Sequence, residues 1–296
     1  MFKKTILLST SFFSLMMMQS IFASDSDNVV DNVRAEGLTY SNTEVLHIPS
    51  KYVGANYKIY VDIPADYYQH PNKKYPALYL LDADYSFPVT KAIAEHLEDR
   101  NRMKEVFIIG IAYDGPYEYK LKRSRDYTPW HTKSGGYNEA CNKISGGGPE
   151  FAEFLDKELI PAMNKQFRLN GSRTLVGHSF GGLFGSWLSI TDPKLFNSYI
   201  IVSPSLWYKN KEMFQYEQQY AKTHKALPEK IYFGIGDKEN AHLYRMVDDL
   251  NQYVAMLKSQ DLQGLQIEYQ VSQDQDHDTI FPTAVTHGLM YIYGTS

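Results

Sequence analysis

Hydrophobic residues along this chain follow two patterns that alternate. Continuous apolar runs, and runs in which apolar and polar residues alternate, predict short strands. Apolar residues spaced three and four positions apart predict helices between them. The predicted strands are 44–49, 56–63, 77–81, 106–112, 173–176, 199–202, 231–235 and 265–271. The predicted helices are 90–97, 149–167, 183–190, 209–222, 242–257 and 282–291, and Pro161 should kink or end the second of them.

This alternation predicts an α/β fold with a mostly parallel central sheet and helices on both faces. Runs 77–81 and 106–112 are apolar throughout, as expected for strands covered on both sides. The first two strands alternate instead, which favours an antiparallel hairpin at the start. We see no internal repeat, and we expect residues 24–296 to form a single domain. Residues 114–148 lack sustained periodicity and are interpreted as an insertion with a function.

The first 23 residues have the form of a secretory signal peptide. Lys3 and Lys4 precede an uncharged apolar stretch, and Ala23 precedes a polar segment that begins at Ser24. A membrane anchor is the alternative, but no positive stop-transfer cluster follows. We therefore expect an exported protein, periplasmic or secreted, without a stable membrane anchor after cleavage.

Composition excludes several classes of function. The 296 residues contain 30 Lys and Arg against 34 Asp and Glu, for a net charge of -4. Nucleic-acid binding depends on a clustered basic surface, so we expect no nucleic-acid partner. A single cysteine excludes an intramolecular disulfide framework and multi-cysteine metal sites. We expect no metal and no cofactor, and the oligomeric state is not encoded.

The strongest chemical signal is Gly-His-Ser-Phe-Gly-Gly at 177–182, which matches G-x-S-x-G. It lies between a predicted strand and a predicted helix, where a sharp turn presents a serine hydroxyl to a base and a substrate. We expect Gly177 and Gly181 to be required for this turn. Ser179 is then the candidate nucleophile, and the backbone N–H of Phe180 can bind an oxyanion.

A nucleophile of this kind needs a base and an acid, in the chain order Ser, acid, His. His277 lies in the loop between the last strand and the last helix, and is the candidate base. The acid should follow the preceding strand, where Glu239 is preferred and Asp237 is the second choice. It would accept a hydrogen bond from the far ring nitrogen of His277 and fix the tautomer.

The loop after strand 77–81 should supply a second oxyanion donor, the backbone N–H of Ala83 or Asp84. In the insertion, four cationic residues lie within six positions, and aromatic residues follow. Arg123 and Arg125 are candidate contacts for an anionic or aromatic substrate. The alternative is a solvated basic face in which Arg125 pairs with Asp126.

Several of these motifs resemble the putative-esterase family of α/β-hydrolases, which includes esterase D, the mycolyltransferases and the siderophore trilactone esterases. They are the elbow at 177–184, Ser-Pro-Ser-Leu-Trp at 203–207 and Leu-Leu-Asp-Ala-Asp at 80–84. Arg-Ser-Arg-Asp-Tyr-Thr-Pro at 123–129 resembles a stretch of the siderophore-esterase branch. Ala83 stands where the family usually has Gly.

The resemblance implies an α/β-hydrolase fold and a serine carboxylic-ester hydrolase that forms an acyl-enzyme. It places the second oxyanion donor at Asp84, independently favours Glu239 as the acid, and adds Trp207 as a candidate substrate contact. The partner would be a small-molecule ester, with a siderophore ester first and a polysaccharide or feruloyl ester second. A non-enzymatic exported ligand-binding protein on a hydrolase shell is the remaining alternative.

Overall fold

The computed structural model describes residues 39–114, 119–227, 229–240 and 244–295. Within these ranges eight strands form one sheet in the order β1-β2-β4-β3-β5-β6-β7-β8. The strands are β1 Thr43–Ser50, β2 Ala55–Asp62, β3 Tyr75–Leu80, β4 Phe107–Tyr113, β5 Leu169–His178, β6 Ser198–Val202, β7 Lys230–Gly236 and β8 Gln266–Ser272. The predicted signal peptide lies outside the described residues.

The sheet has the mixed direction that the sequence predicts. β1 pairs with β2 and β2 with β4 in antiparallel fashion, and the other neighbours are parallel. All seven residues of β4 are buried, as expected for a strand covered on both faces. The carboxyl ends of β3, β5, β6, β7 and β8 therefore meet at one edge of the sheet. In open α/β sheets this is the edge at which ligands bind.

Helices cover both faces of the sheet. They are α1 Ala83–Asp99, α2 Tyr119–Asp126, α3 Glu139–Ile144, α4 Gly148–Phe154, α5 Ile160–Gln166, α6 Phe180–Thr191, α7 Tyr208–Thr223, α8 Met246–Ser259 and α9 Ile280–Tyr293. α1 and α9 pack against one face, where Leu78 and Leu80 are buried. α5, α6 and α8 pack against the other, where Tyr79 is buried. Neighbouring residues of β3 thus belong to two separate hydrophobic clusters, because successive side chains of a strand point to opposite faces of the sheet.

Two helices differ from their predicted form. α1 begins at Ala83, seven residues before the predicted start, because polar residues and Pro88 obscure its periodicity. The region around Pro161 contains a π-helical turn over Leu155–Leu159, in which the Ile160 N–H donates to the Leu155 carbonyl five residues back. The departure from α-helical hydrogen bonding is therefore in the turn directly before the proline, which has no N–H of its own.

The described part of the predicted insertion contains two short helices, α2 and α3. With eight and six residues, they are too short to show sustained periodicity in the sequence. Within the described ranges, no helix is both long and apolar enough to cross a membrane.

Candidate active site

Ser179 occupies a sharp turn between the end of β5 and the start of α6. Its backbone has φ 61° and ψ −115°, a conformation that costs energy for any residue with a Cβ. Its N–H donates to the Val202 carbonyl over 3.0 Å, and its carbonyl accepts from the N–H groups of Leu183 and Ser205. These bonds hold the strained turn in place and leave the side chain facing a cleft.

The glycines around this turn are required for different reasons. A Cβ on Gly177 would lie 2.3 Å from the Gly181 carbonyl oxygen, so position 177 accepts only glycine. A Cβ on Gly182 would lie 3.0 Å from both the Val202 carbonyl oxygen and the Pro204 Cα. At Gly181 the nearest contact would be an ordinary 3.4 Å to a Leu81 methyl group. The predicted requirement for Gly181 was wrong, since the tight second position is Gly182.

His277 and Glu239 form a close pair at the same edge of the sheet. The Nδ1 atom of His277 lies 2.7 Å from Oε2 of Glu239. The other carboxylate oxygen, Oε1, accepts from the Ser203 hydroxyl over 2.6 Å and from the Gly236 N–H over 2.9 Å. A carboxylate that accepts from Nδ1 fixes the tautomer of the ring, which leaves Nε2 as the basic atom.

The second acid candidate makes a different contact. Asp237 accepts a hydrogen bond from the backbone N–H of Gln275 over 3.2 Å, which ties β7 to the loop after β8. Both acids lie in or beside the short 3₁₀ turn Asp237–Asn240. Of the two acids, only Glu239 is buried, and only Glu239 is bonded to His277 among the contacts of the described residues.

Ser179, His277 and Glu239 all line one cleft of about 980 Å³. Its aromatic lining consists of Tyr85, Tyr119, Tyr137, Phe180, Trp207, Tyr244 and Phe281. Its charged lining consists of Lys120, Arg123, Lys238, Glu239, Asp276 and Asp278. Trp207, predicted as a substrate contact, stacks on Tyr244 with ring centroids 4.1 Å apart. The cleft therefore offers flat apolar surfaces next to the serine, with lysines at its margin.

The two predicted oxyanion donors differ in their position relative to the cleft. Phe180 is the first residue of α6 and lines the cleft. Asp84 is the second residue of α1, where backbone N–H groups have no partner within the helix. Asp84 is absent from the cleft lining, and its carboxylate accepts from the Tyr113 N–H over 3.1 Å. Burial raises the pKa of this carboxyl. Its role as the second donor stays a prediction.

Arg123 reaches the cleft, but its guanidinium is committed to the protein. Nε and Nη2 donate to the two carboxylate oxygens of Asp82 over 2.9 and 3.0 Å, and Nη2 also lies 3.3 Å from the His178 carbonyl oxygen. The Tyr119 hydroxyl donates to the same carboxylate. Arg123 thus joins α2, the turn after β3 and the serine elbow. It also lines the cleft, and its predicted contact with substrate stays a prediction.

Arg125 is a clear correction, because it does not line the cleft. Its Nε lies 2.6 Å from Oδ1 of Asp126, and the Tyr57 hydroxyl donates to the other oxygen of that carboxylate. Asp126 is fully buried, so this ion pair anchors α2 to β2. Arg125 therefore pairs with Asp126, the alternative that was expected for a solvated basic face.

Several residues of the site have no role assigned from the sequence. Ser205 places its hydroxyl oxygen 3.3 Å from that of Ser179. The ring of His178 lies 4.5 Å from that of His277, and its Nδ1 is 3.1 Å from the Tyr85 hydroxyl. Burial, then His277 and Arg123, lower the pKa of His178 well below its ordinary value, which keeps that ring neutral. His178 lies in the elbow motif and Ser205 in Ser-Pro-Ser-Leu-Trp. Their place in these motifs is the sequence signal for a role in the site.

The fold and this site define an esterase of the α/β-hydrolase type. A family model described as "Putative esterase" matches residues 50–279, and the chain belongs to that family. It is a carboxylic ester hydrolase. The predicted fold class is confirmed by solved relatives as well as by the sheet.

Named relatives and a solved structure are similar over most of the chain. The "Ferri-bacillibactin esterase BesA" of Bacillus subtilis is 26% identical over 267 residues, which are 87% of this chain and 91% of that protein. The "Siderophore enterobactin esterase" of Emericella nidulans is 26% identical over 255 residues, 74% of this chain and 82% of that protein. The crystal structure of the BES protein from Bacillus cereus superposes with a TM-score of 0.77 at 26% identity, covering 88% of this chain and 99% of that one.

Proposed function

We propose that this esterase hydrolyses a siderophore ester through Ser179, with His277 as general base and Glu239 as the acid that orients it. The observation that carries the mechanism is the 2.7 Å contact between His277 Nδ1 and Glu239 Oε2, in the cleft that also exposes the strained Ser179. A neutral serine is a weak nucleophile, and a base oriented by a carboxylate is the usual means of activating it.

In this mechanism the Ser179 Oγ attacks the ester carbonyl carbon as Nε2 of His277 takes its proton. The oxyanion is bound by the Phe180 N–H, with Asp84 N–H as the second predicted donor. His277 then gives the proton to the alkoxide oxygen, the carbon–oxygen bond breaks, and the alcohol leaves. Water attacks the acyl-enzyme by the same route, which releases the acid and restores Ser179.

Two observations support a siderophore ester as the substrate. By their printed names, one relative described above is an esterase of ferri-bacillibactin and the other is a siderophore enterobactin esterase. The cleft joins aromatic side chains such as Trp207 and Tyr244 to the cations of Lys120 and Lys238, which are exposed at its margin. Flat rings can stack on the former, and lysines attract the negative charge of a metal chelate or its catecholate groups.

The experiment combines labelling with a substrate panel. A fluorophosphonate probe should label the wild-type protein on the peptide that contains Ser179, and Ser179→Ala should lose both labelling and turnover. Ser186→Ala is the matched control, because Ser186 is a buried serine of α6, the helix that follows Ser179, and its hydroxyl donates to the Gly182 carbonyl. Retained turnover in Ser179→Ala would refute the nucleophile.

The panel contains a catecholate trilactone with and without ferric ion, a feruloyl ester and a short p-nitrophenyl ester. A value of kcat/KM highest for the trilactone is the expected result. A preference for the feruloyl ester would replace the substrate class but leave the chemistry intact.

The export proposal rests on the sequence of residues 1–23. Expression of the full chain in a bacterial host should give a processed protein whose first residue is Ser24, read by N-terminal sequencing. An unprocessed chain in the cytoplasmic fraction would contradict it.

A further inference from the structure

The segment that follows β6 lies between the two halves of the proposed catalytic machinery. It consists of Ser203, Pro204 and Ser205, and we refer to it as the 203–205 turn. Ser203 and Ser205 are both buried. Serines are mostly exposed in proteins, and buried hydroxyls need partners, so the identity of those partners is informative.

On one side, the turn is bonded to the acid. The Ser203 hydroxyl donates to Glu239 Oε1 over 2.6 Å. The Ser203 N–H donates to the Gly234 carbonyl at the end of β7 over 2.8 Å. Ser203 has φ 44°, in the left-handed region that a residue with a Cβ occupies only at a cost. Ser203 has this conformation, and in it the side-chain hydroxyl faces the Glu239 carboxylate.

On the other side, the turn is bonded to the nucleophile. The Ser205 N–H donates to the Ser179 carbonyl over 3.1 Å, and the two hydroxyl oxygens lie 3.3 Å apart. Val202, which directly precedes the turn, accepts the Ser179 N–H. Pro204 packs against α6, since a Cβ on Gly182 would meet its Cα at 3.0 Å. Backbone and side chain of the nucleophile are thus both bound by this one segment.

We infer that the 203–205 turn sets the position of Ser179 relative to the Glu239–His277 pair, with Ser203 and Ser205 as positioning residues. The inference rests on the proposed serine mechanism. The hydroxyls of the turn reach both halves of the machinery, Ser203 to the Glu239 carboxylate and Ser205 to the Ser179 hydroxyl. Catalysis depends on reacting atoms being held within a few tenths of an ångström, so small losses of order are expected to lower kcat more than they raise KM.

The two hydroxyls have different predicted signatures. Removing the Ser203 hydroxyl takes one hydrogen-bond donor away from the Glu239 carboxylate. The carboxylate then holds the His277 proton more tightly. The acid limb of the pH profile of kcat/KM should therefore move to higher pH. Removing the Ser205 hydroxyl frees the Ser179 side chain and should slow its labelling without moving that limb.

The test uses Ser203→Ala, Ser205→Ala and the control Ser186→Ala in the full enzyme. Each of the first two should lower kcat about tenfold, with KM within about twofold, as expected for one hydrogen bond in a catalytic array. Rates are counted per folded molecule by circular dichroism. Ser203→Gly also lacks the hydroxyl but suits φ 44°, so it gives the same answer if the alanine variant folds poorly. Ser205→Thr keeps the hydroxyl and should recover the rate.

Wild-type kcat and an unshifted pH profile in folded Ser203→Ala or Ser203→Gly would overturn the inference. A wild-type rate of fluorophosphonate labelling in Ser205→Ala would also overturn it. So would a loss of kcat in Ser186→Ala as large as the loss in Ser203→Ala and Ser205→Ala. These results leave the proposed function standing if Ser179→Ala is inactive. If Ser179→Ala is active, the mechanism itself fails, and the two failures are therefore distinct.

Discussion

Arg123 and Asp82, 41 residues apart in sequence, form a bidentate ion pair beside the cleft that Ser179 lines. Only 1% of the Asp82 side chain and 15% of the Arg123 side chain are exposed. The Tyr119 hydroxyl and the His178 carbonyl complete the hydrogen bonds of the pair. The pair thus joins the turn after β3 to α2 and to the end of β5, next to Ser179.

Arg123→Ala should destabilise the fold. The substitution leaves the buried Asp82 carboxylate without its cation, and breaking a buried pair from one side costs about 3–5 kcal/mol. Urea unfolding of the variant and the wild type measures the difference in free energy. Lys157→Ala, which removes the exposed partner of Asp156, is the control and should change stability little. An equally small loss in Arg123→Ala would mean that the pair is not buried in solution.

Glu239→Gln should lower kcat by about two to four orders of magnitude with little change in KM. The amide keeps the shape of the side chain but can present an N–H to His277 Nδ1, which selects the wrong tautomer. Asp237→Asn is the matched control, because that carboxylate accepts only from the Gln275 N–H among the contacts of the described residues. Steady-state kinetics on one ester separates the two acids. A larger loss in Asp237→Asn would reverse their roles.

Trp207→Leu should raise KM for aryl esters about three- to tenfold and leave kcat nearly unchanged. The substitution removes the cleft ring that stacks on Tyr244 and on which the aryl group of the substrate is expected to pack. An aromatic pair of this kind contributes about 0.5–1.5 kcal/mol beyond its buried area. Trp130→Leu is the control, since Trp130 contacts Tyr216 and does not line the cleft. Equal effects of both substitutions on KM would remove Trp207 from the binding surface.

Glu229→Gln should stabilise the protein increasingly as pH rises. Burial raises the pKa of the Glu229 carboxyl from 4.5 to about 10, and neither oxygen has a hydrogen-bond partner among the described residues. The folded carboxyl stays protonated while the unfolded one ionises, so stability is lost as pH climbs from about 4.5 towards about 10.

Gln cannot ionise, and the expected gain is on the order of 3 kcal/mol near pH 7 and close to zero near pH 4. Urea unfolding at the two pH values measures this. Glu153→Gln, at an exposed position of α4, is the control for the loss of a glutamate and should change stability little. A gain for Glu229→Gln that is the same at both pH values would contradict the buried, protonated state.

The parallel sheet could be predicted because its strands are continuous apolar runs, a local property of the sequence. The elbow could be predicted for a similar reason, since Gly177 and Ser179 belong to one short motif. The pairing of His277 with Glu239 needed the rule that parallel strands end at the same edge. Each of these inferences uses either neighbouring residues or a general property of the fold.

The roles of Arg123 and Arg125 could not be separated without the helix that contains them. The sequence shows two similar cations two positions apart and suggests one role for both. In α2, residues two positions apart differ by about 200° around the helix axis, so they face opposite sides. Arg123 therefore meets Asp82 at the cleft, while Arg125 meets Asp126 and Tyr57. The acid partner Asp82 is distant in sequence and leaves no local trace.

The sheet edge described above separates the parts of the molecule that can change from those that cannot. The acid and the serine are bound to the strand ends of β5, β6 and β7, where added side chains collide within a few ångströms. Tyr137 and Tyr244 stand on connecting segments and are exposed. Substitutions there would alter the walls of the cleft without disturbing the chemistry. Mutation and selection can thus change which ester this lineage accepts while Ser179, His277 and Glu239 keep their positions.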